Sequence, residues 1–338
     1  AAMGERRMWA PWVTAAAPHT RRPMPHKVVL RWTRIDMLAL YWRRCPDDRT
    51  EQEEPVGDGS RGDDGDRAQG RPPLPQPPPE GEQGRTHRAL EGVSTVARIA
   101  VLCGTGMSAF TSELALMQGA TSDALRIDSN WGQVPATLVG LPEGELLLID
   151  RHHSDDGSRT PPHMIEHRAN VHAAASCQPN LVVSINSVGT MREDMPPGTI
   201  AVAGDVLDLA ERPWTFHDDD ASHADRTSPF DSAASEACVR AIEVSQGIAP
   251  SGIVVAQCIG PQFESPSEID ALERLGADVV GMTLGPESRL MSERGIPHVA
   301  LSCCSNWAAG RNPGSPGAAI DHEAVDAVAA TMGWVGSR

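Results

Sequence analysis

The stretch GIVVAQCIGPQFESPSEIDALERLGADVVGMT, residues 252–283, contains an apolar run, an amphipathic segment and a second apolar run. GIVVAQCIG and ADVVGMT are apolar at consecutive positions, which is typical of strands buried on both faces of a sheet. Between them, SPSEIDALERLG has the apolar spacing of a helix. This order indicates a strand–helix–strand unit, the building block of an α/β fold.

The same alternation extends over the chain from residue 96 onward. Further apolar runs are ARIAVLCG, ELLLIDRH, LVVSINSVG, TIAVAGDVLDL and PHVALSCCSN, and further helical segments are MIEHRANVHAAAS, SAASEACVRAIEVSQ and PESRLMSERG. We therefore predict that residues 96–338 form one α/β domain, with a central mixed or largely parallel β-sheet flanked by helices.

Residues 1–95 differ in composition from the rest of the chain. Residues 46–95 are dominated by Asp, Glu, Gly, Pro and Arg, and they include the stretch RPPLPQPPPEGEQG. Such a segment buries too little apolar surface to offset chain entropy, so we predict that 1–95 is a disordered or poorly structured extension. A targeting peptide is the alternative, although the segment has no secretory apolar core.

The charge balance limits the classes of partner. Of the 338 residues, 29 are basic and 45 acidic; residues 1–95 hold 15 and 14 of these, which leaves the remainder a net charge of −17. A body this acidic repels a nucleic-acid backbone, and no apolar run reaches the roughly 18 residues of a membrane span. We expect neither nucleic acid nor membrane as a partner.

Seven cysteines without a C-x-x-C pair predict reduced thiols in a cytoplasmic protein.

Polar residues at the strand ends predict where a ligand binds, because ligands of open α/β sheets sit beyond the carboxyl ends of strands. These residues are Gly104-Thr105-Gly106, Arg151-His152, Asn186-Ser187, Gly260 to Glu264, Met282-Thr283 and Ser305-Asn306. Small hydroxyls, backbone N–H groups and an arginine suit an anion, whereas Glu264 and Asn306 suit the amide edge of a heterocycle. A dinucleotide is disfavoured, because the turn GTGMSA has no third glycine. The HDDD run at 217–220 is interpreted as a solvated loop, and we expect no metal site.

Several of these motifs together resemble one family. CGTGM, DRH, RTPPHMIEHRAN, NSVGTMREDMPPGTI, TFHDDDASHADRTSPFD, GPQFESPSEIDALERLGADVVGMTLGPE and SNWAAG follow the order and spacing of the trimeric purine nucleoside phosphorylase and methylthioadenosine (methylthioinosine) phosphorylase family. The resemblance implies a nucleoside-phosphorylase-like fold and a pentosyltransferase of purine salvage. Phosphate would attack the anomeric carbon of a purine nucleoside and release free base and ribose 1-phosphate, with no metal or organic cofactor.

The resemblance also implies roles for individual residues. Matched positions assign phosphate to Thr105, Arg151, His152, Ser187 and Thr283, ribose to Met282, and the purine to Phe263, Glu264 and Asn306. His223 would be donated by a neighbouring subunit of a homotrimer, and His322 would contact the 5′-hydroxyl. We expect Glu264, Asn306 and His223 to carry the catalysis.

Glu264 and Asn306 favour a 6-oxopurine, because a carboxylate accepts the N1–H and a carboxamide donates to O6. We therefore expect inosine or guanosine as substrate, with S-methyl-5′-thioinosine or methylthioadenosine as the alternative. Two rivals remain open. One is a nucleoside hydrolase of the same fold, in which water replaces phosphate. The other is a nucleoside-binding or assembly protein without catalysis, which the altered loop after Arg151-His152 suggests. In that loop His153 could replace a missing phosphate-side histidine, and Asp155-Asp156 would oppose an anion if they pointed inward.

Overall fold

The structure, a computed structural model, describes residues 97–104, 119–142, 144–209, 212–321 and 323–329. The extension 1–95 lies outside these residues. The described strands are β1 (Arg98–Cys103), β2 (Thr121–Ser129), β3 (Gly132–Leu141), β4 (Gly144–Asp150), β5 (Leu181–Thr190), β6 (Ile200–Asp208), β7 (Ser251–Gln257), β8 (Val279–Gly281) and β9 (His298–Trp307). The helices are α1 (His167–Ser176), α2 (Ser232–Gln246), α3 (Pro266–Arg274) and α4 (Leu284–Arg294), and residues 323–329 are also helical.

The nine described strands form one mixed sheet in the order β2-β3-β4-β1-β5-β8-β7-β6-β9. Strands β1 and β4, β1 and β5, and β5 and β9 pair in parallel, whereas β5 and β8 pair antiparallel. Because β9 also pairs with β5, strands β5, β8, β7, β6 and β9 form a closed ring of pairings. The predicted fold class, a mixed sheet with flanking helices, is confirmed.

Helices cover both faces of the sheet, which explains the continuous apolar runs. In β1, Ile99 and Val101 pack in a cluster with α2, while Ala100 and Leu102 pack in a second cluster with α1 and α4. All six residues of β1 are buried. A strand that is buried on both faces needs apolar side chains on both, and β1 supplies them from Ile99 to Cys103, whereas Arg98 at its start pairs with Glu145.

Local signals fix the ends of two helices next to the site. Helix α3 begins with a capping box: the Ser265 hydroxyl accepts from the Glu268 N–H at 3.3 Å, and the Glu268 carboxylate accepts from the Ser265 N–H at 2.7 Å. Helix α4 ends at Gly295, whose φ of 60° is left-handed. Such a φ favours glycine and ends the helix before β9 begins.

Two features of the sheet differ from the prediction. The hairpin β2–β3 was not predicted, because β2 is an edge strand with polar residues on both faces and so shows no apolar run. Strands β5 and β9 also extend past the predicted strand ends, so Ser187 and Asn306 lie inside strands, next to a register shift between Val188 and Gly189.

A buried ion pair connects the sheet to helix α4. Arg151 follows β4 and is 1% exposed, and Glu287 of α4 is fully buried. The Arg151 Nε donates to Glu287 Oε1 at 2.6 Å, and Nη2 donates to Glu287 Oε2 at 3.1 Å. The same guanidinium donates to the carbonyls of Leu102 and Ile185, at 2.8 and 2.7 Å. One side chain at the end of β4 thus joins β1 and β5 to α4.

We predict that Glu287→Gln destabilises the protein strongly. A buried guanidinium that loses its counter-charge costs about 3–5 kcal/mol. The matched control is Glu236→Gln, which removes the partner of Arg240 in an exposed pair at 3.5 Å and costs at most about 1 kcal/mol. Urea unfolding at pH 7 gives both free energies of unfolding. A loss for Glu287→Gln as small as that of the control would contradict the role given to the pair.

Candidate active site

One cavity of about 270 Å³ brings together most of the residues that the sequence singled out. Its lining includes Arg151, His152, Ser187, Phe263, Glu264, Met282, Thr283 and Asn306. These residues come from five separate parts of the chain, and the sheet places them side by side. The cavity is large enough for a small molecule and combines apolar walls with polar groups, as ligand sites do.

Arg151 lies at the floor of the cavity, but its hydrogen-bonding capacity is largely used. Four of the donor contacts described above go to Glu287 and to two backbone carbonyls. Gly104 covers the same group, since a Cβ at Gly104 would lie 2.7 Å from Arg151 Nη1. A guanidinium has five N–H donors, so one N–H of Nη1 remains for a ligand.

His152 lines the cavity as a neutral imidazole. Its Nδ1 lies 2.8 Å from the Thr160 carbonyl, so Nδ1 carries the hydrogen and donates it. Burial lowers the pKa of His152 to about 4, and the neighbouring Arg151 and Arg159 charges act in the same direction. At neutral pH His152 therefore offers an unprotonated Nε2, which can accept a hydrogen bond but adds no positive charge.

Thr283 is the N-cap residue of α4, and its side chain makes no capping hydrogen bond. Its Oγ1 instead accepts from Asn186 Nδ2 at 2.7 Å. No described residue accepts the Thr283 hydroxyl hydrogen, so that hydrogen remains for a ligand. The hydroxyl stands at the positive end of the α4 dipole, which favours an anion.

A chain of hydrogen bonds connects Ser187 with Asn306. Ser187 Oγ donates to Ser305 Oγ at 2.7 Å, and Ser305 Oγ lies 3.0 Å from Asn306 Oδ1. Asn306 Nδ2 donates to the Trp307 carbonyl at 2.9 Å. The amide still has one N–H and one lone pair for a ligand, because a carboxamide offers two of each. Gly189 permits this packing, since a Cβ there would lie 3.1 Å from Asn306 Nδ2.

Glu264 presents an acceptor without a partner. Its Oε1 is buried and has no hydrogen-bond partner among the described residues. Burial raises the pKa of Glu264, while a hydrogen bond with the Cys258 thiol acts in the opposite direction. Burial also raises the pKa of Cys258 to about 12, so the thiol stays protonated and is the donor. A buried acceptor that lacks a donor is costly to maintain, and a ligand N–H would satisfy it.

Two of the predicted site residues, Thr105 and His322, lie outside the described residues. His223 is exposed and does not line the cavity within one chain. In the loop after His152, His153 and the Asp155-Asp156 pair do not line it either. Asp155 is exposed and lies 3.6 Å from Arg126, so the two aspartates do not oppose an anion there.

Two residues of the site are not indicated by the sequence: Arg159 lines the cavity, and Glu287 binds Arg151. Ser305, which the sequence places with Asn306 at a strand end, also lines the cavity. Arg159 lies in a loop without a periodic pattern, and the partner of Glu287 is 136 residues away in the chain. Spacing along the sequence indicates neither of these contacts.

No helix among the described residues combines the length and apolar composition that crossing a bilayer requires. Within the same ranges, His, Cys, Asp and Glu side chains do not form any group of three that could hold a metal ion. The six described cysteines are free, and five of them are buried, as the composition predicts.

Sequence similarity relates this chain to known proteins. Residues 130–334 match the phosphorylase superfamily. A probable S-methyl-5′-thioinosine phosphorylase of Methanopyrus kandleri is 35% identical over 182 residues, 53% of this chain and 70% of the relative. The 6-oxopurine nucleoside phosphorylase of Pyrococcus furiosus is 30% identical over 223 residues, which cover 63% of this chain and 80% of the relative.

Among solved structures, a methylthioadenosine phosphorylase from an antarctic soil metagenomic library superposes with a TM-score of 0.58 at 22% identity. The superposition covers 72% of this chain and 86% of that chain, and at this identity it supports the fold alone. The family match spans more than half of the chain, and the Methanopyrus relative is matched over more than two thirds of its length. The chain belongs to the phosphorylase superfamily.

Proposed function

We propose that the protein is a purine nucleoside phosphorylase that acts on 6-oxopurine nucleosides, inosine or guanosine, with inorganic phosphate. The products are the free purine base and ribose 1-phosphate. The observation that carries this proposal is one cavity lined both by Glu264, with an unpartnered buried oxygen, and by Thr283, whose hydroxyl hydrogen has no acceptor among the described residues. The first feature suits a purine N–H and the second suits phosphate oxygens.

The phosphate binds among Ser187, Thr283, His152 and the remaining N–H of Arg151. The Thr283 hydroxyl and the end of α4 donate to phosphate oxygens. The neutral Nε2 of His152 accepts the hydrogen of a monoprotonated phosphate, because Thr160 fixes the tautomer with hydrogen on Nδ1. Thr105 is proposed as a further phosphate-binding residue, and this assignment rests on the sequence resemblance alone.

The purine binds between Phe263, Glu264 and Asn306. The Glu264 carboxylate accepts the N1–H, and the free N–H of Asn306 donates to O6 while its Oδ1 accepts from N7 as that atom gains a proton. When a phosphate oxygen attacks the anomeric carbon, the bond to N9 breaks and its electron pair stays with the base. Hydrogen bonds that strengthen as this negative charge develops lower the barrier. Met282 contacts the ribose between the two reactants.

A methylthioinosine phosphorylase is the second candidate function. The Methanopyrus relative is named as an S-methyl-5′-thioinosine phosphorylase. The base of methylthioinosine is likewise a 6-oxopurine. The apolar side chains of Ile320 and Val325 line the cavity on either side of His322 in the sequence. Apolar side chains suit a methylthio group, whereas the His322 side chain, by resemblance, suits a 5′-hydroxyl.

The remaining partners follow from the proposed chemistry. Phosphate is the nucleophile, so the reaction needs no organic cofactor. We further propose a homotrimer in which the exposed His223 completes the sugar pocket of a neighbouring subunit. This assembly is supported by resemblance and by the position of His223 outside its own cavity.

We predict that the protein cleaves inosine and guanosine only when phosphate is present. Chromatography of the bases released from inosine, guanosine, methylthioinosine and adenosine, with and without phosphate, tests this expectation. Ribose 1-phosphate should form in equal amount to the base. Equal rates without phosphate would instead establish a hydrolase, and binding of inosine without cleavage would establish a silent binding protein.

We predict that Asn306→Asp reverses the base preference. A carboxylate cannot donate to O6 but accepts from a 6-amino group, so kcat/KM for inosine should fall about 10- to 100-fold, and the ratio of adenosine to inosine should rise. Asn312→Asp is the matched control, because Asn312 is outside the cavity lining. An unchanged ratio in Asn306→Asp would show that Asn306 does not contact the base edge.

We predict that protonation of Glu264 lowers kcat/KM for inosine at acid pH. Its raised pKa means that it protonates at a higher pH than an ordinary glutamate. As the pH falls through that pKa, the carboxylate loses the charge that binds N1–H, so kcat/KM for inosine falls. At a pH above that pKa, kcat/KM has its full value. The ionisation of phosphate affects both proteins equally, so it cancels in the ratio of kcat/KM for wild type to kcat/KM for Glu264→Gln. This ratio should fall toward acid pH.

Glu236→Gln is the matched control for that ratio, because Glu236 is exposed on α2, pairs with Arg240 and lies outside the cavity lining. The ratio of wild type to Glu236→Gln should be independent of pH. A flat ratio for Glu264→Gln as well would show that the carboxylate does not bind the base.

A further inference from the structure

The cavity has little free positive charge for a dianionic ligand. Among the described residues that line it, the basic ones are Arg151, His152 and Arg159. Arg151 is neutralised by Glu287 at 2.6 Å, and both side chains are almost fully buried. His152 is neutral at physiological pH because burial lowers its pKa to about 4. Of these three residues, Arg159 alone keeps a charge that is not tied to a buried partner.

Arg159 is held over the cavity by a closed loop. The loop from His152 to Thr160 is joined at its base, where Thr160 N–H donates to the His152 carbonyl at 2.8 Å and Thr160 Oγ1 donates to the His153 carbonyl at 2.6 Å. Pro161 follows and restricts the backbone of Thr160. The cavity is lined by Arg159, Thr160 and Pro161, so the last turn of the loop faces the cavity.

The present partner of Arg159 is weak. Arg159 Nη1 lies 3.4 Å from Asp150 Oδ2, and both side chains are about half exposed. Exposed ion pairs of this kind contribute at most about 1 kcal/mol, so a dianion can displace the aspartate. The Asp150 carboxylate keeps its other contact, the His152 N–H at 2.9 Å, when Arg159 leaves.

We propose that Arg159 is the phosphate-binding cation of this cavity and exchanges its contact with Asp150 for the oxygens of inorganic phosphate. This inference rests on the proposed function and deepens it. In this arrangement Arg151 shapes the floor of the site and gives one N–H, whereas Arg159 supplies the charge that attracts phosphate. A planar guanidinium can hold two phosphate oxygens at once, which an ammonium group cannot.

Arg159→Gln in the full chain tests the inference. We expect the KM for phosphate to rise about tenfold, the effect of losing one charge-assisted contact, while kcat and the KM for inosine change less than about twofold. Arg159→Lys keeps the charge and should stay within about threefold of wild type. Potassium chloride should weaken phosphate binding more in wild type than in Arg159→Gln, because the charge attraction is screened.

Arg240→Gln is the matched control. Its side chain is 40% exposed, compared with 48% for Arg159, and it pairs with Glu236 at 3.5 Å on α2, outside the cavity. Thermal unfolding of each variant confirms that the fold is intact. A KM for phosphate in Arg159→Gln equal to that of Arg240→Gln would overturn the inference, and so would an equal rise in the KM values for phosphate and inosine.

Calorimetric titration with inorganic phosphate alone separates this inference from the proposed function. Wild type that binds phosphate more tightly than Arg159→Gln supports the role of Arg159, even if no nucleoside is cleaved. Wild type that cleaves inosine with phosphate, but binds phosphate no more tightly than Arg159→Gln, overturns the role of Arg159 and leaves the proposed function intact. Wild type that binds no phosphate overturns both.

Discussion

The ion pair between Arg151 and Glu287 is the constraint on which the site depends. One guanidinium binds a carboxylate on α4 and the backbone carbonyls that end β1 and lie within β5. It therefore fixes the relative positions of Gly104, Ser187 and the start of α4, where Thr283 stands. The desolvation of both charges is offset only by good geometry, and here both carboxylate oxygens accept from the same guanidinium.

A buried arginine that is fixed by a carboxylate brings almost no net charge to the cavity. The donors that remain near it are neutral: the Thr283 hydroxyl, the end of α4 and one guanidinium N–H. Neutral donors orient an anion but attract it weakly from water, where its hydration is strong. The two tasks of orientation and attraction then belong to different residues. In the proposed arrangement, fixed groups at the floor orient the phosphate, and the half-exposed Arg159 at the rim attracts it, because its charge is not neutralised in the interior.

The sequence predicts the α/β class because strands such as β1 carry consecutive apolar residues, here Ile99 to Cys103, and it predicts the start of α3 because the signal is local. It misses the hairpin β2–β3, because an exposed edge strand carries no apolar periodicity. The site shows the same division. Phe263-Glu264 and Asn306 are found from their motifs, and the cavity brings them together. The commitment of Arg151 to Glu287 and the neutral state of His152 depend on burial and on contacts between distant segments, which spacing along the chain does not encode.

The two candidate substrates share a 6-oxopurine base, so the part of the cavity around Glu264 and Asn306 cannot distinguish them. Discrimination has to come from the group at the 5′ position, where a hydroxyl needs a polar partner and a methylthio group needs apolar surface. A pocket that hydrogen-bonds a hydroxyl rejects an analogue without it far more strongly than an apolar pocket rejects an added hydroxyl. Specificity for inosine therefore requires a polar side chain that faces the sugar, and His322 is the residue matched to that place. Ile320 and Val325, which line the cavity, provide only the weaker, apolar discrimination.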